Sequence, residues 1–217
     1  QLRPYGDAGH MAVSLEGFKR YFSPQGPAWA YERQALIKLR PIAGNPELGA
    51  AVASLRDAYV YSGELYDTKA MRAMRERQLR HMVAGGSFNA KYSLGGLVDI
   101  EYLVQGLQIT HGVDNPTLRL TNTREAMSAL HKQGFLSTED YRSLHKAHTF
   151  LRWLIDALRV VRGNSKDLSI PSIESEEFAF LTRRLRFGSD REQFQEDLQS
   201  HTSAVQEMNT RLLPSSE

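Results

Sequence analysis

The amino-acid sequence predicts a mainly α protein, an antiparallel helical bundle. Three observations carry that expectation. Apolar residues recur at helical spacing through most of the chain. The stretches between such runs are short and marked by glycine, proline or asparagine. Long helices with short connections favour antiparallel neighbours that bury their stripes on each other.

The elements follow in order. Ser14 is placed to cap a helix over Leu15 to Phe22. Pro27 suits the first turn of a helix that runs to Arg40 and is ended by Pro41. Gly44-Asn45-Pro46 reads as a turn and as the best boundary between two parts of the chain, 1–45 and 46–217. Pro46 to about Tyr61 is amphipathic through Leu48, Val52, Leu55 and Tyr59. Asp67 to Val83 follows, with Met71, Met74 and Met82 near one face, and Gly85-Gly86-Ser87 breaks it. A helix from Gly96 to Thr110 stops at His111-Gly112. Asn122 to Gln133 ends at Gly134, a good C-cap. Ser137 caps a long helix to about Arg162, closed by Gly163-Asn164. Its stripe of Phe150, Leu151, Leu154, Leu158 and Val161 is expected in the core, with Trp153 at the edge. Two more helices, over about 174–187 and 190–212, finish the chain.

Composition narrows the function classes. The chain has no cysteine, which excludes disulfides, thiolate metal sites and cysteine nucleophiles. A net charge of +2 is too small to argue for nucleic acid or a membrane surface, so neither is expected as a partner. No apolar run approaches the ~18 residues of a membrane span, and no signal peptide is visible. A soluble, cytoplasmic domain is expected. His131, His145 and His148 lack the convergent spacing of a zinc site, and no metal is assigned to them.

The most informative stretch is Lys91-Tyr92-Ser93-Leu94-Gly95-Gly96-Leu97-Val98-Asp99-Ile100-Glu101-Tyr102. Gly95 and Gly96 allow a positive φ or a close backbone approach. Asp99 falls in the first helical turn, where the dipole favours a negative charge. Glu101, Gln105 and Gln108 share a face opposite the apolar stripe of Ile100, Leu103, Val104 and Leu107, which reads as the solvated side. Arg72, Arg75, Arg77 and Arg80 crowd one helix and read as surface cations paired with Glu76 or with other helices. Docking to an acidic or phosphorylated partner is the alternative. Arg183-Arg184-Leu185-Arg186 is a basic cluster too short for a nucleic-acid patch.

The double-glycine segment resembles the Gly-Gly-(Ile/Leu)-(Val/Arg)-(Asp/Glu)-Ile-Glu-(Phe/Tyr) signature of the glutamine synthetase adenylyltransferase and adenylyl-removing enzyme family. Further blocks match in order. Leu2-Arg3-Pro4-Tyr5-Gly6-Asp7-Ala8-Gly9 is similar to the family's Leu-Arg-Pro-(Phe/Ser)-Gly-(Asp/Ser)-(Ser/Ala)-Gly. Ser14-Leu15-Glu16-Gly17-Phe18, Tyr31-Glu32-Arg33-Gln34-Ala35-Leu36-Ile37-Lys38-Leu39-Arg40, Met74-Arg75-Glu76-Arg77 and Phe150-Leu151-Arg152 match later blocks. Tyr31 stands where the family usually has Trp, and Leu39 where it usually has Ala.

The resemblance implies a nucleotidyltransferase that adds AMP to a tyrosine of glutamine synthetase or removes it, regulating nitrogen assimilation. It implies Mg²⁺ or Mn²⁺ and ATP or ADP for the whole enzyme, and glutamine synthetase and a PII-type regulatory protein as partners. The superfamily's catalytic core carries Gly-Ser, Asp-x-Asp and a third aspartate, whose carboxylates hold two metal ions. No Gly-Ser followed by Asp-x-Asp occurs here. The chain is therefore expected to be a fragment that begins after the catalytic strand and is inactive alone. Residues 1–45 would be the remnant of an α/β nucleotidyltransferase domain, and 46–217 a helical, partner-binding bundle. The first block leans towards the N-terminal, adenylyl-removing half. By the same resemblance, Arg3, Glu32, Arg33, Lys38, Arg40, Lys91, Gly95, Gly96, Asp99 and Glu101 are candidates for substrate or phosphate binding. A non-catalytic interaction module and a nucleotidyltransferase with another substrate are the alternatives.

Overall fold

The computed structural model describes residues 3–213, so Leu2 of the first block lies outside the described residues. Nine α-helices are found among them: α1 Leu15–Tyr21, α2 Ala30–Leu36, α3 Pro46–Val60, α4 Thr68–Met82, α5 Leu97–His111, α6 Thr123–Lys132, α7 Thr138–Arg162, α8 Glu176–Arg184 and α9 Arg191–Leu212. No strand occurs among the described residues, only an isolated bridge between Asn89 and Ser169. The protein is mainly α. The caps read from sequence, Ser14 and Ser137, are in place, and Asn45 and Asn122 cap their helices too: each of the four accepts an N–H of its helix's first turn.

The helix expected from Pro27 to Arg40 is shorter at both ends. Trp29 is its N-cap residue, and its N–H donates to Glu32 Oε2 at 2.8 Å. Beyond Leu36 the chain tightens into i→i−3 bonds, from Ile37 to Gln34, Lys38 to Ala35 and Leu39 to Leu36. Pro41 disfavours the helical region for Arg40. Arg56 Nη1 donates to the Leu39 carbonyl at 2.6 Å and so satisfies a group the helix no longer pairs.

The chain forms two compact units, Gln1–Met71 with Val104–Phe135, and Arg72–Leu103 with Leu136–Glu217. In the first, α1 and α2 pack on α3 around Tyr21, Phe22, Leu36, Ile37, Val60, Tyr61 and Ile109. The segments on either side of residue 45 are thus packed together here. In the second, α7 packs on α8 and α9. Leu144, Leu151, Leu154 and Leu158 of α7, Phe178 and Leu181 of α8, and Phe194, Val205 and Met208 of α9 are all buried. Phe178 and Phe187 each meet the Phe194 ring edge-on at 5.5 Å.

Trp153 departs from expectation: it is 63% exposed, because Leu151, Leu154 and Leu158 define the buried face and Trp153 points away from it. Leu151→Ala is expected to cost about 2–5 kcal/mol through a buried cavity. Trp153→Ala should stay within about 0.5 kcal/mol. Urea unfolding of the two variants checks the contrast.

Two histidines make stability depend on pH. Burial pushes the His111 imidazole, stacked on Phe135 at 3.9 Å, below its ordinary value. Burial does the same to His201, opposed by Asp197 and reinforced by Lys146. A histidine with a depressed folded pKa binds more protons when unfolded. Its stability contribution is present above the unfolded value near ~6.5 and is lost as pH falls through the folded value. Unfolding free energy is expected to fall between about pH 7 and 5.5. Replacing His111 and His201 by Gln should flatten that slope, as read by urea midpoints across the range.

Candidate functional site

The double-glycine loop is built from its own backbone in the second unit. Asn89 Oδ1 accepts the Lys91 and Tyr92 N–H groups, both at 3.0 Å, and Ser93 Oγ accepts the Asn89 N–H at 2.8 Å. Ser93 N–H returns to the Asn89 carbonyl at 2.9 Å. Ala90 N–H reaches the Leu168 carbonyl and Ile170 N–H the Phe88 carbonyl, which ties the loop to the strand-like stretch after α7. Gly95 has φ 74°, and a Cβ there would collide with the α9 backbone at Thr202. A Cβ on Gly96 would press on the carbonyls of Ser93, Lys91 and Ala90. Both glycines are required by close approach, and Gly95 by its dihedral as well.

Asp99 lies in the first turn of α5 and is buried, with 9% exposure. Its carboxylate accepts Arg75 Nε at 2.5 Å and Nη2 at 3.2 Å, and the Gly95 N–H at 2.7 Å. Arg75 Nη2 also donates to the Ser93 carbonyl at 2.9 Å, and Asn209 Nδ2 donates to the Asp99 carbonyl at 3.3 Å. The pair therefore joins α4, the loop, α5 and α9.

Arg75 is not the surface cation its helix suggested. It shares the buried side of α4 with Met71, Met74, Gln78 and Leu79, and its Nη1 and the Oε1 of Gln78 are buried without a hydrogen-bond partner among the described residues. Spacing held the signal, since Met71, Arg75 and Leu79 are successive i, i+4 neighbours.

The polar line on α5 is also not solvated throughout. Gln108 is 1% exposed and donates from Nε2 to the carbonyls of Leu118 at 2.6 Å and Leu120 at 2.8 Å. Gln105 is buried and accepts Gln34 Nε2 at 2.7 Å. These amides serve backbone and side-chain groups that no helix or strand ladder pairs. Glu101, in contrast, is half-buried and makes no hydrogen bond or ion pair among the described residues. Beside it, burial raises the Tyr102 hydroxyl; the bond from Gln78 and the Arg75 charge oppose the rise, and the Glu101 charge adds to it. Lys91 is half-buried, with its ammonium 5.0 Å from the centre of the Tyr92 ring.

The other candidates lie in the first unit. Arg3 Nε donates to the Gly6 carbonyl at 2.7 Å. Glu32 is buried, accepting the Tyr21 hydroxyl at 3.1 Å on both oxygens as well as the Trp29 N–H. Arg33 is buried and donates to the carbonyls of Val60 at 2.8 Å and Glu64 at 3.0 Å, so it closes the end of α3. Burial lowers its pKa, and Glu64 opposes the shift. Lys38 Nζ donates to Thr123 Oγ1. Arg40 is exposed, with no ion pair among the described residues.

No group of three His, Asp or Glu able to hold a metal ion is found among the described residues. The orphaned atoms beside α5, a guanidinium nitrogen and an amide oxygen, are not the carboxylate set that Mg²⁺ takes. The described residues do not fit that metal.

A family model described as GlnD PII-uridylyltransferase matches residues 69–213, and one described as glutamate-ammonia ligase adenylyltransferase matches residues 1–55. Relatives that carry the description bifunctional glutamine synthetase adenylyltransferase/adenylyl-removing enzyme include three from different genera. That of Streptomyces avermitilis is 33% identical over 86% of this chain and 19% of its own length. That of Stenotrophomonas maltophilia is 35% identical over 75% of this chain and 18% of its own. That of Mycobacterium bovis is 30% identical over 97% of this chain and 22% of its own. The chain belongs to this family of nucleotidyltransferases, with residues 69–213 falling in the family described as GlnD PII-uridylyltransferase. It spans about a fifth of the length of these relatives.

Asp99→Asn leaves the Arg75 charge buried and unbalanced, and is expected to cost about 3–5 kcal/mol. Gly95→Ala should cost at least about 1 kcal/mol, from the positive φ together with the clash at Thr202. Denaturant midpoints measure both.

Proposed function

We propose that this chain is part of a nucleotidyltransferase that transfers AMP to, or removes it from, a tyrosine of glutamine synthetase. The observation that carries the proposal is the likeness to bifunctional enzymes of that description over most of the chain. The Tyr5-Gly6-Asp7 block favours the adenylyl-removing half. ATP or ADP with Mg²⁺ or Mn²⁺ would be held mainly by residues outside this chain, so the chain alone is proposed to be inactive. The two family-model matches, 1–55 and 69–213, support a division into an end of the catalytic domain, proposed as 1–45, and a helical, partner-binding part, 46–217. Met11, Trp29, Ile42 and Leu65 are exposed, which supports their burial against further catalytic structure in the longer protein. The match to a model described as PII-uridylyltransferase supports a PII-type protein as a second partner.

Among the candidate residues, Gly95, Gly96 and Asp99 are assigned to holding the start of α5. Arg33 and Glu32 hold α2 and the end of α3. Lys38, Arg40, Lys91 and Glu101 are the side chains proposed to meet substrate. Glu101 is a carboxylate held part-way out of water on a helix whose orientation the Arg75–Asp99 pair sets. In that position it can orient a cation or a phosphate-binding group without moving. Metal ions held by residues outside this chain would supply charge neutralisation at the phosphates. What these residues add is the placement of the substrate against them.

In the longer enzyme, Glu101→Gln is expected to reduce turnover at least roughly tenfold, about 1.4 kcal/mol of barrier, with the melting temperature unchanged. Wild-type turnover in that variant would return Glu101 to a plain surface role. The isolated chain, incubated with glutamine synthetase, ATP and Mg²⁺, or with the adenylylated form and phosphate, is expected to show no turnover. Turnover in either direction would refute the proposed division of labour.

A further inference from the structure

The basic cluster at the end of α8 has no part in the reaction proposed above. It borders a groove of about 430 Å³ lined by Trp153, Asp156 and Ala157 of α7 and by Arg184, Leu185 and Arg186. α8 closes with the Arg186 N–H donating to the Arg183 carbonyl at 3.1 Å and the Phe187 N–H to the Thr182 carbonyl at 2.9 Å. This closure puts the residue after the cap in the left-handed region, where glycine is favoured because a Cβ crowds the backbone. The ends of α6 and α7 follow that preference, with Gly134 at φ 80° and Gly163 at φ 64°. At the end of α8 the position is Arg186, at φ 68°. An arginine thus stands in a glycine's place at the edge of a groove, and strain of this kind gathers at functional positions.

The chemistry of the groove says what it would hold. The Trp153 indole is exposed, and Val160 stands outward two turns further along α7. Arg184 and Arg186 form no ion pair among the described residues, nor does Arg152 beside Trp153. The only acid in the lining, Asp156, already faces Arg159 at 3.2 Å. An open aromatic face with unbalanced guanidinium groups is the composition of a binding hot spot. Guanidinium forks match carboxylates in pairs. The cluster is too short to follow a nucleic-acid backbone.

We propose that this groove docks an acidic peptide segment of a partner protein, which sets an apolar side chain against Trp153 and carboxylates against Arg184 and Arg186. The test uses the whole chain with Trp29→Phe, so that the remaining tryptophan emission comes from Trp153. The probe is a short blocked peptide of glutamates around a central leucine. Its controls are the same peptide with lysine for glutamate and a short oligothymidylate. The acidic peptide is expected to shift Trp153 emission with a Kd that rises with salt. Arg184→Ala and Arg186→Gly should each weaken binding by about tenfold or more. Arg186→Gly should at the same time raise Tm by a few degrees, since glycine relieves the left-handed strain. If Arg186→Gly raises Tm and leaves binding unchanged, Arg186 is structural and the proposal fails. It fails also if Trp153 does not respond to the acidic peptide at millimolar concentration, or if the lysine peptide binds equally. Tighter binding of the oligothymidylate, or self-association of the chain in sedimentation, would assign the groove to another occupant.

Discussion

The buried contact between Arg75 and Asp99 holds the second unit around the candidate site. Two opposite charges removed from water are favourable only when most of the remaining donors and acceptors are met. Here the Gly95 N–H supplies one partner to the carboxylate, and the Ser93 carbonyl supplies one to the guanidinium. Those two backbone groups belong to one tight turn, so the turn and the ion pair stabilise each other. Gly95 then lies against α9 at Thr202, where no side chain fits. The same carboxylate sits in the first turn of α5, at the positive end of its dipole. Glu101 inherits its position from this arrangement, one half-turn further along the helix.

The first unit shows the same physical problem solved by other residues. A protein made of helices leaves carbonyls unpaired wherever a helix stops. Arg33 takes the Val60 carbonyl at the end of α3, Arg56 takes that of Leu39 after α2, and Arg119 takes those of Gly112 and Val113 after α5. Gln108 does so for the turn around Leu118. Long planar donors suit this role because one side chain reaches two or three acceptors. A count of cations therefore overstates what is open to a nucleotide. Of Arg33, Lys38 and Arg40, adjacent on one short segment, only Arg40 stands in solvent without an ion pair among the described residues.

The candidate site was legible where its chemistry is local. Gly95, Gly96 and Asp99 could be assigned from spacing because a tight turn into a helix needs a residue without a Cβ and favours an acid in the first turn. Arg75 looks like a surface cation in the sequence, and its place between Met71 and Leu79 on the buried side of α4 is the contrary signal. Gln105 and Gln108 look solvated in the sequence because their partners, Gln34 and the Leu118–Leu120 turn, come from distant or irregular segments. The strain at Arg186 had no signature in the sequence, since an arginine at a helix end is ordinary until its φ is known.

By itself the sequence determined the helical class, the caps at Ser14 and Ser137, most helix limits and the family, because each rests on periodicity, local hydrogen bonding or residue order. Tertiary structure alone decided which polar side chains are buried. It turned Arg75 and Gln108 inward and left Trp153 in solvent, and it shortened α2 where Arg56 of the next helix takes up the Leu39 carbonyl. The physical reason is that a polar group's energy depends on whether a partner from elsewhere in the fold reaches it, and periodicity along one helix carries no record of that partner.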